Sequence, residues 1–254
     1  MNSPVTVRYE AERRLLCLRL ARPKANLIDA AMIAALDEAL EMPAHPALSA
    51  VLIEADGPHF SFGASVAEHL PGECRAMLAA LHRLIGRLLD SPLPVMVAVR
   101  GKCLGAGLEL ALAGHLLFVA PDAELGQPEI KLGVFAPAAS CLLPEAIGVA
   151  AATDLLVSGR TVSGLDSVEL GLALDANPDP AAAARAYFAE HLGHKSAASL
   201  RFALRAARLD YAVRMRAKLA AVERLYLDEL MSTRDATEGL QAFLEKRPPN
   251  WEHR

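Results

Sequence analysis

Residues 95–129 read VMVAVRGKCLGAGLELALAGHLLFVAPDAELGQPE, and the fold is decided there. Val95 to Val99 is an apolar run rich in β-branched residues, the pattern of a strand buried on both faces. Gly105-Ala106-Gly107 then opens a helical segment carrying Glu109, and Leu116 to Val119 is a further β-prone run. A second acid, Glu129, follows Gly126, Gln127 and Pro128 in what reads as a loop.

Upstream, Ala50 to Ala55 is another continuous apolar run, and Glu73 to Leu89 has helical periodicity that ends at Ser91, Pro92 and Pro94. Strand, helix and strand in that order imply a parallel crossover and an α/β fold. Further out, Val5 to Tyr9 and Leu15 to Leu20 suit an antiparallel hairpin. Asp29 is placed to cap a helix from Ala30 to Glu41 whose end is marked by Pro43 and Pro46. Downstream, Ala138 to Ile147 reads as a helix opened by Pro137, and from Ala150 onward the pattern is almost entirely helical. The stripe Leu219, Val222, Leu225 and Tyr226 reads as core or as a face packed on another subunit.

The chain has 254 residues, 53% of them hydrophobic, enough to bury a substantial core. Its net charge of −4, without a basic block, argues against nucleic acid or an anionic membrane as a partner. The N-terminal residues lack a signal-peptide pattern and no run reaches about 20 apolar residues, so a cytoplasmic location is expected. Cys17, Cys74, Cys103 and Cys141 lack metal-ligand spacing and are expected to be core fillers. His59, His69, His82 and His115 are read as structural or solvated, and Ser65 and Ser140 lack the partners of a nucleophile. The Gly105 turn is not a dinucleotide fingerprint.

The chemistry lies in two loops. The segment Phe60-Ser-Phe-Gly-Ala-Ser65 follows a buried strand, where α/β proteins place their ligands. One backbone N–H from it and one from the Gly105 turn could grip a single oxygen, or both segments could be tight turns and nothing more. Glu109 lies one turn beyond Ala106 among apolar neighbours, where it either is poorly solvated, with its pKa raised by burial, or turns out to water. A carbonyl held by two donors makes its conjugated carbons electrophilic, with about 3–4 kcal/mol from each donor. Two carboxylates can then share the work on water, one taking a proton as water attacks and the other delivering a proton to carbon. That is hydration of a conjugated double bond.

The segments RPKANLI, HFSFGAS, VAVRGKCLGAGLELALAGHLLFVA, ELGQPEIKLGV and DATEGLQAFLEKRPP, in this order across nearly the whole chain, resemble the enoyl-CoA hydratase/isomerase (crotonase) family. The resemblance implies a crotonase-like spiral of β-β-α turns over residues 1–193, holding the active site. Residues 194–254 would form a C-terminal helical trimerisation region, in trimers or dimers of trimers. By position it implies oxyanion donors at the N–H groups of Ala64 and Ala106, and Glu109 and Glu129 as the acid–base pair. For the CoA thioester it points to Lys24 and Ala25, to the Ala64 loop, and to Lys246 or Arg247. No cofactor is implied, since CoA is part of the substrate.

Two departures from the family pattern stand out. Ser65 follows Phe62-Gly63-Ala64 where the family usually has Asp, and Phe135-Ala-Pro-Ala-Ala-Ser140 replaces a Gly-rich segment. The added Pro and β-carbons stiffen and fill the pocket wall, with Phe62 and Phe135 as candidate contacts. These features resemble the branch of the family that hydrates a cyclic dienoyl-CoA in anaerobic aromatic degradation. A hydratase of linear 2-enoyl-CoA thioesters is the alternative. A crotonase-fold protein that binds RNA or protein without catalysis is a remote one, disfavoured by the acidic balance and the two retained acids.

Overall fold

The computed structural model describes residues 3–41 and 45–254. β1 (Val5–Glu10) and β2 (Leu15–Leu20) form the expected antiparallel hairpin. α1 (Ala30–Glu41) begins at Asp29, whose Oδ1 accepts the N–H of Met32 at 2.9 Å. Pro43, expected to mark the end of α1, lies outside the described residues. β3 (Ala50–Ala55), α2 (Cys74–Leu89) and β4 (Val95–Val99) make the parallel crossover. After β4 come β5 (Lys102–Leu104), α3 (Ala106–Leu112), β6 (Leu116–Val119) and β7 (Glu124–Gly126).

The larger sheet has the order β1-β2-β3-β4-β6-β9, where β9 is Asp175–Ala176, and is parallel from β2 onward. Successive residues of its central strands face opposite sides. Val51, Ile53, Val95, Val97 and Val99 join the main core, while Ala50, Leu52, Met96 and Ala98 join a second layer. That layer is closed by Phe118 and by Ala184 and Phe188 of the chain following β9. Coverage on both faces explains why β3 and β4 read as unbroken apolar runs.

The remaining helices are α4 (Pro137–Ile147), α5 (Val149–Ser158), α6 (Gly164–Glu169), α7 (Pro180–Tyr187), α8 (Ala197–Ala207), α9 (Tyr211–Arg224) and α10 (Arg234–Leu244). Met215, Leu219, Tyr226, Ala236 and Leu240 belong to the main core, so the C-terminal helices complete the body that holds the site.

The almost entirely helical pattern expected beyond Ala150 is interrupted by two short strands, β8 (Thr161–Ser163) and β9. β8 completes a second, three-stranded sheet of order β5-β7-β8. Strands of two or three residues are too short to display a two-residue period, so no sequence pattern announces them. Glu129 also departs from expectation: it sits in a 3₁₀ turn, Pro128–Leu132, with Pro at the first position. Proline's fixed φ suits that start.

Candidate active site

The two loops expected to supply N–H donors lie back to back. The Phe60 segment is stitched to β5, with Ser61 N–H donating to Lys102 O and Leu104 N–H to Ser61 O, each at 3.0 Å. Ser61 Oγ donates to Asn26 O at 2.7 Å and accepts the N–H of Gly63 at 3.1 Å. Asn26, 1% exposed, donates to Asp56 O and His59 O and accepts the N–H of Arg22, which fixes the base of the loop. Gly63 has φ 96°, and a Cβ there would come within 3.0 Å of Leu104 O and 3.5 Å of Gly105 Cα. With Gly at both positions the two turns pack together, a Cβ on Gly63 falling 3.5 Å from Ala106 N, and Ala64 and Ala106 line one cavity. Neither N–H has an acceptor among the described residues.

Glu109, 3% exposed, projects from the first turn of α3 between Leu108 and Leu110, both fully buried. Its Oε1 accepts the N–H of Ala139 at 2.9 Å. Ala139 lies in the first turn of α4, where backbone N–H groups lack intrahelical partners. Desolvation raises the Glu109 pKa, and the Ala139 N–H opposes it. Glu129, half-buried on the cavity wall, is pushed up to about 8 by desolvation and then by the charge of Glu109. The arrangement favours a protonated Glu129 at neutral pH, and the Ala139 N–H is placed to stabilise negative charge on Glu109.

Three contacts hold Glu129. Its carboxyl lies against Gly105 Cα, where a Cβ would overlap Oε1. The amide of Gln127, 1% exposed, donates to Oε2 at 3.1 Å and Oε1 at 3.3 Å when turned to satisfy both of its ends. From outside, α10 packs on the 3₁₀ turn so closely that a Cβ on Gly239 would overlap Leu132 O, and one on Gly133 would lie 2.7 Å from Asp235 O.

A cavity of about 70 Å³ is lined by Ala64, Ala106, Glu109, Glu129, Phe62 and Phe135 together. Leu78, Leu81, Leu132 and Leu240 supply apolar walls, and His69 is also present, its ring bonded to Ser65 O at 3.0 Å and its pKa lowered by burial. Phe62 is 39% exposed and meets His59 edge-on. The other expected residues stand apart from this cavity. Lys24 is exposed with φ 97°, and Ala25 uses its carbonyl to accept the N–H of Phe62 at 2.9 Å. Lys246 is exposed beyond α10, and the neighbouring Arg247 is engaged by Glu238 and Glu245. All four cysteines are buried and free.

Gln127 and Ala139 were not singled out by the sequence, and His69, read as structural or solvated, lies on the cavity wall. A glutamine between Gly and Pro has no periodic pattern to mark it. The Ala139 N–H acts through its place at a helix start, which the Pro137 signal does locate.

The sequence profile of the enoyl-CoA hydratase/isomerase family matches residues 10–254. The chain is 60% identical to cyclohexa-1,5-dienecarbonyl-CoA hydratase of Thauera aromatica, over all of this chain and 98% of that one. It is 34% identical to a probable enoyl-CoA hydratase of Bacillus subtilis, covering 92% of this chain and 93% of that one. Among solved structures, an enoyl-CoA hydratase/isomerase from Pseudoalteromonas atlantica superposes with a TM-score of 0.85 at 26% identity, covering 98% of this chain and 99% of that chain. OdaA of Pseudomonas aeruginosa superposes with a TM-score of 0.82 at 29% identity over the whole of both chains.

Proposed function

Because this chain belongs to the enoyl-CoA hydratase/isomerase family, we propose that it adds water to cyclohexa-1,5-diene-1-carbonyl-CoA to give 6-hydroxycyclohex-1-ene-1-carbonyl-CoA. The observation that carries the substrate is full-length identity of 60% to a hydratase of that name. The other hydratase relative compared stands at 34%.

The thioester oxygen accepts from the N–H groups of Ala64 and Ala106. Glu109, ionised, takes a proton from water as the oxygen attacks the ring carbon β to the carbonyl. The π electrons of that double bond move toward the thioester oxygen, and the resulting dienolate is stabilised where the donors already point. Glu129 then delivers its proton to the γ carbon, the remaining double bond shifts into conjugation with the carbonyl, and one water has been added. Hydroxyl and proton arrive at opposite ends of the ring, which suits two carboxyls on separate elements. Phe62 and Phe135 flank the ring, while Lys24, Ala25 and Lys246 meet the CoA portion.

Steady-state turnover of the cyclic diene and of crotonyl-CoA tests the reading. A higher kcat/KM for the linear substrate would replace it with a general 2-enoyl-CoA hydratase.

No cofactor beyond the CoA of the substrate enters this scheme. Assembly into trimers or dimers of trimers is supported by Phe202, Leu209 and Val213, which are 70%, 69% and 60% exposed along a groove between α8 and α9. Sedimentation equilibrium tests it. No helix among the described residues is long and apolar enough to cross a membrane, and the cytoplasm is the compartment we assign.

A further inference from the structure

Tyr226 is wholly buried, and its hydroxyl has no hydrogen-bond partner among the described residues. A phenylalanine would fill the same space without leaving a donor unpaired, so the hydroxyl costs stability as the structure stands. Its surroundings point to a use. The ring meets Phe135 edge-on, with centroids 5.3 Å apart and planes at 74°, and Phe135 is a wall of the catalytic cavity. Phe135 also ends the segment that presents Glu129, a segment closed by Val134 N–H donating to Glu129 O at 3.3 Å. Tyr226 itself lies in a π turn, Leu225–Glu229, that follows α9. Such turns are rare and recur at functional sites. This one leaves Leu225 45% exposed and puts Tyr226 inside.

We propose that Tyr226 is a positioning residue of the active site, its ring bracing Phe135 and its hydroxyl donating a hydrogen bond to the carboxyl of Glu129 when substrate is bound. This rests on the hydration reading above. Desolvation, and then the charges of Cys74, Glu129 and Glu109, raise the phenol above its ordinary value, so it stays a donor throughout the working range. The titratable groups around the pair are Glu109 on α3, Cys74 on α2 and His69 in the cavity wall. As Glu129 gives its proton to carbon it becomes a carboxylate, and a hydrogen bond to the anion is stronger than one to the acid. The gain therefore belongs to the transition state and is read in kcat.

The test is Tyr226→Phe, assayed on whichever enoyl thioester the wild type turns over. We expect kcat to fall roughly tenfold with KM little changed. The alkaline limb of the pH profile should move to higher pH, because ionised Glu129 has lost a donor. The melting temperature should be no lower than that of the wild type, since an unpaired donor has been removed. Unchanged kcat and an unmoved alkaline limb overturn the proposal, as does a loss of activity that follows loss of folded protein. Failure of the wild type to hydrate the cyclic diene overturns the substrate reading instead, and leaves the comparison of the two proteins on a linear thioester to decide Tyr226.

Discussion

The carboxyl of Glu129 rests on the α-carbon of Gly105, in space that any side chain at position 105 would occupy. Gly105 also has φ 52° and ψ −129°, a conformation closed to residues with a β-carbon. Gly105→Ala should therefore displace the acid and the Ala106 amide together. A loss of kcat of about 100-fold or more is expected, by comparison with removal of one oxyanion donor. Retention of near-wild-type kcat would show that Glu129 has no fixed place in the reaction.

Glu109→Gln and Glu129→Gln should each lower kcat by about 10²–10⁴-fold with KM changed little, since each removes a proton transfer and leaves the binding surface. Single-turnover kinetics on the cyclic diene measure this. Hydration unchanged in both variants would remove the acid–base assignment.

Glu129, at about 8, should set an alkaline limb in the pH profile, with activity lost as the proton it delivers is lost. The same carboxyl links stability to pH. Its folded value lies above its ordinary value of 4.5, so between about 4.5 and 8 the native state keeps a proton that the unfolded chain has released. Stability then falls as pH rises through that window, and the cost is complete above it. Glu129→Gln should flatten this dependence and raise the melting temperature most above pH 8. A variant whose melting curve follows that of the wild type at every pH would contradict the assignment.

Asn26→Ala removes one buried carboxamide that satisfies three backbone groups, those of Arg22, Asp56 and His59. A loss of about 2–3 kcal/mol is expected, or a fall in melting temperature of roughly 4–12 °C for a chain of this size. Differential scanning calorimetry reads it directly, and no change would mean that the Ala64 loop is held by other contacts.

Phe135→Ala should lower kcat/KM for the cyclic diene more than for crotonyl-CoA, because the ring loses a wall that a short linear chain does not need. Equal losses on the two substrates would place the specificity elsewhere.

Much of this site could be read from the sequence, for reasons that differ by residue. Glu109 was legible because spacing put it one turn beyond Ala106 and its neighbours Leu108 and Leu110 could not both be at the surface; both are buried. The antiparallel hairpin and the crossover from β3 to β4 were legible because their β-prone or apolar runs extend over five or six residues. β8 and β9 were not, being too short to display a pattern. Tyr226 was read only as one of a helical stripe that could be core or interface. The π turn breaks that stripe, leaving Leu225 half out and Tyr226 fully in, and no local sequence rule marks where a helix will insert a residue. The segment Phe135 to Ser140 was read as a pocket wall alone. It also supplies the Ala139 N–H that holds Glu109, a role belonging to a backbone atom that side-chain identity does not disclose.

The fit of α10 against the turn at Leu132 has a consequence in time. A chain still being synthesised acquires both amide loops and Glu109 early, from neighbouring segments of the sheet. The wall that seats Glu129 arrives more than 100 residues later, with Gly239 and Leu240. Glu129 is thus seated only once α10 has docked on its turn, and the onset of hydration is expected to report that docking.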